Sequence, residues 1–488
     1  MKLFKNEFKT AVYLLLKPSV VFFLFLILIS CSDTQTTEKG YGLIEQGKLK
    51  GAIVSGYVVD AVSGEVIGKQ NEGTRMTPAS LSKVLTSGAA LIKLGDKYRF
   101  ETKVGVEGSI NSGVLNGNVV ITGGGDPTLG SKYFPQTHPD SVFSKIFAIL
   151  RSNGINKVNG ELKVVTGCRN EPGYPSLRLW EDMSNYYGAP PYCLSFIDNT
   201  FTVTLSSPSV AGKLCHVKRI EPECGIKPDC RVVSSESNKD SAYIYGFPGL
   251  KNWYINGSIP SGRDNFRIKG ALPFPERVFG NELLRFLRDR GMGLLNMSVI
   301  HSGGNGKVRE LGAVYSPPVK EIIKVLNKKS INLFADGLFL KTGEKDERPD
   351  WDNARVVVKN IWTNAIGEND IFLHDGSGLS PFNSFTPKDM VNALMYLRNS
   401  AHAGVFKASL AVSGVDGTFK RIWNDVETRR KVIGKSGYMS GVLGYAGYIK
   451  ADSGRELVFC IMINRFTEPV GEVRKMIEKY VTRIIKEN

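Results

Sequence analysis

Segments patterned as β-strands stand near both ends of this 488-residue chain, with helical patterns close behind the first and ahead of the last. Near the start, Ile53-Val54 and Tyr57-Val58-Val59 precede Ser63-Gly64, and Val66-Ile67 follow it, which reads as two strands joined by a tight turn. Near the end, Val432 to Tyr438, Tyr445 to Ile449 and Leu457 to Ile463 read as strands, the last two joined across Ala451-Asp452-Ser453-Gly454 as a hairpin. Pro78-Ala79-Ser80 opens a helical segment with Leu81, Val84, Leu85 and Ile92 at helical spacing, ending at Gly95. Helical period returns at Phe279, Leu283, Leu284 and Leu287, and again at Val319, Ile322, Ile323 and Leu326, which runs straight into Ser330. A last helix presents Val473, Met476, Ile477, Tyr480, Val481 and Ile484 on one face. A single sheet can use strands from both ends only if the chain closes on itself. The pattern therefore predicts one α+β domain, assembled from distant segments, that has accepted a long insertion.

Within the insertion the texture is of short strands broken by Gly and Asn, such as Gly117-Asn118-Val119-Val120-Ile121. From about 200 to 245, alternating Phe201, Val203 and Leu205 together with clustered cysteines read as a smaller β-rich module. Hydrophobic content of 42% with 23% charged residues is that of an ordinary globular protein, and no repeat or low-complexity tract stands out.

The first 30 residues differ. Lys2, Lys5, Lys9 and Lys17 precede an uncharged apolar run from Val20 to Ile29, the order of a secretory signal and too short for a comfortable membrane span. The run ends in Leu28-Ile29-Ser30-Cys31, which resembles a bacterial lipobox and implies a lipid on Cys31. Residues 31–45 then read as a polar tether. These features predict export and a lipid anchor at a periplasm-facing membrane surface. The net charge of +16 suits anionic envelope polymers or lipid headgroups. Nucleic acid is not an expected partner, because no recognised binding motif is present and the leader directs the chain outward. In an oxidising compartment, Cys168, Cys193, Cys215, Cys224 and Cys230 are free to form disulfides, and four of them lie between 193 and 230, where one bridge is expected with its pairing open. Cys460, inside an apolar strand, reads as a free core thiol.

Three short motifs follow in order: Ser80-Leu81-Ser82-Lys83, Ser330-Ile331-Asn332 and Lys435-Ser436-Gly437. Ser and Lys three apart at a helix start share a face, so Lys83 can reach the Ser80 hydroxyl and, with its pKa depressed by burial or a second cation, take its proton. Ser330 and Asn332 flank a helix end, where a hydroxyl can pass a proton to a leaving amine while the amide orients Lys83 and substrate. Lys435 and Ser436 on a strand suit a substrate carboxylate, and Gly437 would let the substrate backbone approach. The backbone N–H groups of Ser80 and Tyr438 are candidates for an oxyanion hole.

This set matches S-x-x-K, S-x-N and K-[T/S]-G of the penicillin-recognising serine acyl-enzymes. With Gly124-Gly125-Asp126-Pro127-Thr128-Leu129, Asp375-Gly376-Ser377-Gly378-Leu379-Ser380 and Gly414-Val415-Asp416-Gly417-Thr418, the chain resembles the low-molecular-mass class C penicillin-binding proteins, the D-Ala-D-Ala carboxypeptidase/endopeptidases of peptidase family S13, over nearly all its mature length. The resemblance implies a DD-peptidase/β-lactamase-like transpeptidase domain, an antiparallel sheet flanked by helices with a helical subdomain, at 46–97 and 305–488. It implies an inserted domain at 98–304 with the β-rich module nested inside it. It implies Ser80 as acylated nucleophile, Lys83 as base, Ser330 and Asn332 as relay and orienter, and Lys435 with Ser436 as carboxylate clamp. Trp180-Glu181-Asp182-Met183 and Tyr187 resemble the inserted segment that in relatives holds the free amino end of a stem peptide, where Asp182 would pair with an amine. Expected partners are peptidoglycan stem peptides, with β-lactam antibiotics as covalent acylating inhibitors. No cofactor or metal is expected: H-E-x-x-H, Walker A and G-x-S-x-G motifs are all absent, and Cys215-His216 lacks partners at zinc spacing. His374-Asp375 and Ser377 crowd one Gly-rich loop and read as structural rather than as a triad. A protein of another class, a catalytically silent peptidoglycan-binding lipoprotein of the same fold, and an enzyme hydrolysing other D-amino-acid peptides or esters are the competing readings.

Overall fold

A computed structural model describes residues 49–168, 173–250, 252–301, 307–346 and 348–488. The expected signal peptide and the whole of the expected tether, Cys31 included, lie outside the described residues. Among those described, no helix is long and apolar enough to cross a membrane.

The two ends of the chain do share a sheet. Six antiparallel strands run in the spatial order Ala411–Val412, Val432–Met439, Val442–Lys450, Glu456–Asn464, Ile53–Asp60 and Val66–Gln70. Ile53–Asp60 joins the C-terminal hairpin by pairing with Glu456–Asn464 from Ile53 opposite Asn464 to Asp60 opposite Leu457. Val442–Lys450 and Glu456–Asn464 are buried almost residue for residue, which explains their continuous apolar runs: both faces are covered. The closing helix Val470–Glu487 lies against Val442–Lys450. Ala446, Tyr448, Val458, Cys460 and Met462 belong instead to a core shared with the helices Ser82–Leu94, Val319–Lys329, Asn332–Gly343, Trp351–Ile366 and Pro387–Asn399.

The insertion builds a second core from Val104 to Val314. Its largest sheet is six-stranded and mixed, with Glu101–Asn111 and Val114–Thr122 central and Arg309–Tyr315 at one edge. Because Arg309–Tyr315 pairs with Glu101–Asn111, the chain returns to the first core after Tyr315 rather than at the expected 305. The two crossings are tied together: Phe100 N donates to Ser316 Oγ (2.8 Å) and Ser316 N to the Phe100 carbonyl (3.0 Å). Two three-stranded sheets occupy Thr200–Ala271, past the 245 expected for the β-rich module, since Tyr254–Pro260 and Phe266–Ala271 complete them.

The cysteine expectation needs correction. Cys193 is bridged, but to Cys168, with the Cα atoms 5.8 Å apart, while Cys215, Cys224 and Cys230 are free thiols. Cys460 is free and fully buried, and burial pushes its thiol pKa up.

Local packing around Ser80 fixes where the three motifs meet. Ser80 sits on a tight 3-10 turn, Ala79–Leu81, that leads into the helix from Ser82. Ala79 has φ +47°, a left-handed conformation that strains any residue with a Cβ. Two glycines grip this turn. A Cβ on Gly378 would stand 1.8 Å from the Ala79 carbonyl oxygen, and one on Gly437 would stand 2.4 Å from that of Pro78. The room left by Gly437 is thus filled by the Ser80 turn, not left for substrate as the sequence led us to expect. Gly437→Ala must push the Lys435 strand off the Ser80 turn, with an expected loss of about 1–3 kcal/mol and slower acylation by a penicillin. Chemical denaturation and acylation rates check this, and a variant as stable and as fast as wild type would contradict it.

Candidate active site

Lys83 lies one helical turn beyond Ser80 and is fully buried. Its Nζ is 2.9 Å from Ser80 Oγ, 2.7 Å from Asn332 Oδ1 and 2.5 Å from the Ser377 carbonyl oxygen. The last two atoms only accept hydrogen bonds. A neutral amine has two N–H groups to give them, and its lone pair is then left facing the Ser80 hydroxyl. The Asn332 amide is held in the required sense because its Nδ2 donates to the Tyr187 carbonyl at 2.8 Å. Burial is the main force that lowers the Lys83 pKa to about 7, with the nearby Arg178 guanidinium acting in the same direction and the carboxylates of Asp336 and Asp375 opposing it.

The second and third motifs meet separately. Ser330 caps the helix Val319–Lys329 in a left-handed conformation, φ +58°. Asn332 opens the next helix, so the two side chains leave the chain on either side of a sharp turn. Lys435 Nζ donates to Ser330 Oγ at 2.9 Å and to the Ser436 carbonyl at 2.7 Å. It is fully buried, and burial followed by the Lys83 charge holds its pKa well below the ordinary lysine value. Ser436 Oγ donates to Thr418 Oγ1 at 2.9 Å. Thr418 falls within a stretch quoted above as a family landmark, yet nothing local to it announced a role.

The strand carrying Lys435 is paired along its length with Val442–Lys450. On its other side Ile433 and Gly434 are paired with Val412 and Ala411, and from Lys435 to Met439 that edge has no strand partner among the described residues. Tyr438 sits there with its side chain 59% exposed.

Asp182 and Tyr187 come from the insertion, on the short helix Trp180–Met183 and the turn Tyr186–Gly188. Burial raises the Asp182 pKa while a hydrogen bond from the Tyr187 hydroxyl opposes it. The segment therefore reaches the motifs through the Tyr187 backbone carbonyl, while the Tyr187 ring turns to Asp182. Arg178 from the same segment escaped the sequence reading altogether. Its Nη2 lies 2.9 Å from Asp336 Oδ2 and 2.8 Å from Asp375 Oδ2, all three side chains wholly buried. Asp375 also accepts from Gly378 N (2.7 Å), Ser380 N (2.8 Å) and Asn383 Nδ2 (2.8 Å). The His374 ring turns away to Arg355, at 3.3 Å, so His374, Asp375 and Ser377 form no relay.

Known proteins share this architecture and sequence. The structure superposes on penicillin-binding protein 4 from Haemophilus influenzae with a TM-score of 0.79 at 23% identity, covering 90% of this chain and 98% of that one. It is also similar in fold to the Bd3459 predatory endopeptidase from Bdellovibrio bacteriovorus, with a TM-score of 0.53 at 16% identity, covering 90% and 94% of the two chains. In sequence it is 26% identical over 412 residues to the D-alanyl-D-alanine carboxypeptidase DacB of H. influenzae, covering 83% of each protein. It is 26% identical over 461 residues to the D-alanyl-D-alanine carboxypeptidase of an Actinomadura species, covering 89% of this chain and 82% of the relative. The family model described as D-Ala-D-Ala carboxypeptidase 3 (S13) matches residues 41–484, and the chain belongs to that family.

Proposed function

We propose that this chain is a serine D-Ala-D-Ala carboxypeptidase and DD-endopeptidase that cleaves peptidoglycan stem peptides through an acyl-enzyme on Ser80. One observation carries the reading: the buried Lys83 amine stands 2.9 Å from Ser80 Oγ with its two other contacts on acceptor-only atoms, so that in its neutral form the lone pair is left for the Ser80 hydroxyl. Lys83 takes the Ser80 proton as Oγ attacks the carbonyl carbon of the penultimate D-Ala. The backbone N–H groups of Ser80 and Tyr438 receive the developing oxyanion. Ser330, hydrogen-bonded to Lys435, hands its proton to the leaving amine and takes back the one Lys83 holds, so the C–N bond breaks, D-Ala or the neighbouring stem departs, and Lys83 is a neutral amine again. Water, deprotonated in turn by Lys83, then releases the acyl group and restores Ser80. The Ser436 hydroxyl with Thr418 and the Lys435 charge binds the terminal carboxylate, and the unpaired edge after Gly434 aligns the substrate backbone as an added strand. A β-lactam amide enters the same path and stays as the acyl group. The H. influenzae penicillin-binding protein 4 structure in complex with a β-lactam supports that part of the reading.

In this reading the fold divides at the Phe100 and Ser316 crossings into a catalytic domain and an insertion with its own core. The leader exports the chain, and Cys31, outside the described residues, carries the lipid that keeps it beside the wall polymer. Cys31→Ala is expected to move the protein from the membrane fraction to the soluble periplasmic fraction, and an unchanged membrane fraction would refute the anchor.

Release of D-Ala from pentapeptide stems and cleavage of crosslinked dimers, both from purified peptidoglycan, test the activity. Ser80→Ala should abolish both, a loss of about 1,000-fold or more, whereas a folded wild type that releases neither product would favour the silent binding protein. Across pH, a proton on Lys83 removes its lone pair, so the rate should fall about tenfold per unit below a limb near pH 7 and level off above it.

A further inference from the structure

Arg178 belongs to the buried charged cluster beneath Ser80 but comes from the insertion, whereas its partners Asp336 and Asp375 come from the catalytic domain. It lies in the segment closed by the Cys168–Cys193 disulfide, and Ser380 Oγ donates to the neighbouring Leu177 carbonyl at 2.9 Å, which ties that segment to the catalytic domain. We propose that Arg178 is a positioning residue for Lys83: by holding Asp336 and Asp375 in ion pairs it keeps their charge from locking the proton on Lys83, and so makes the insertion part of the catalytic base. The proposal rests on Lys83 being that base.

The connection is short. Asp336 gives one oxygen to Arg178 Nη2 at 2.9 Å and the other to Ser377 N–H at 2.8 Å. The carbonyl of the same Ser377 accepts from Lys83 Nζ at 2.5 Å. Arg178 Nη2 also touches Ser377 Oγ at 3.4 Å, and Nη1 donates to the Gly188 carbonyl at 3.3 Å. Around Lys83 the charged groups are therefore Asp336 on the helix Asn332–Gly343, Asp375 on its loop, Arg178 on the insertion and Lys435 on the strand. With Arg178 present, its guanidinium shares the two carboxylates with Lys83 when Lys83 is charged. Without Arg178, the attraction of both carboxylates falls on Lys83 with no guanidinium to offset it, in a site where low polarity strengthens each attraction. Asp375 keeps three other N–H donors and stays ionised, so its charge would fall on Lys83. The directions agree: Asp336 and Asp375 favour the charged lysine, Arg178 disfavours it.

The test is the pH dependence of acylation by a chromogenic cephalosporin. Arg178→Gln should move the acid limb to higher pH by about one unit, Asp336→Asn should move it to lower pH, and the double variant should return it towards wild type. Arg178→Lys keeps the charge and should leave the limb near its wild-type position even if the lost fork costs stability. If Arg178→Gln folds and loses rate equally at every pH, or if Asp336→Asn moves the limb upward or not at all, the proposal is overturned. Should Arg178→Gln not fold, the direction of the Asp336→Asn shift alone decides. A wild-type profile with no acid limb, or turnover that survives Ser80→Ala, would instead overturn the base assignment on which the proposal rests.

Discussion

An ammonium group with no access to water is the constraint around which this structure is arranged. Lys83 is fully buried, and taking such an ion out of water costs several kcal/mol unless neighbours compensate or the proton leaves. Here the site does some of each. Three polar atoms surround Nζ within 2.9 Å, two carboxylates lie just beyond them, and a guanidinium prevents those carboxylates from making the charge permanent. A lysine poised near neutrality can exchange a proton with a hydroxyl, while an exposed one cannot do so at useful rates.

That arrangement requires groups from four distant parts of the chain to be held within hydrogen-bond reach. Ser80 and Lys83 share one helix start, Asn332 follows a second helix, Ser377 lies on a loop, and Tyr187 and Arg178 arrive from an insertion with its own core. The glycines at 378 and 437 allow the loop and the strand to close on the Ser80 turn at distances no Cβ permits. The strain at Ala79 and Ser330 is then the local cost of pointing two hydroxyls into one place.

Much of this was legible in the sequence because it was local or periodic. Strand alternation and continuous apolar runs located the sheet and its hairpin, one helical period began at Ser80 and another ran into Ser330, and the three motifs marked side chains that the fold brings together. What escaped depends on long-range pairing. Arg178 lies in Leu177-Arg178-Leu179 with no motif around it, and it meets Asp375 across 197 positions. Asp336 sits inside an apolar helix, Thr418 became a partner of Ser436 only once the strand was placed, and Cys193 found Cys168 rather than a member of its own cluster. At Gly437 the backbone that comes close is that of Pro78, where the sequence suggested a substrate, since a glycine motif does not say which backbone approaches. The return to the first core was misplaced for a similar reason: Arg309–Tyr315 belongs to a strand pair whose other member lies some two hundred positions earlier, a pairing that periodicity alone does not reveal.

Family membership and fold place this chain among the S13 proteins, and the chemistry assigned to it turns on one covalent bond. Intact-mass analysis after incubation with benzylpenicillin, followed by peptide mapping, reads that bond directly. A single adduct carried by the peptide that contains Ser80 is expected. A folded protein that gains no mass, or an adduct mapped to any other residue, would contradict it.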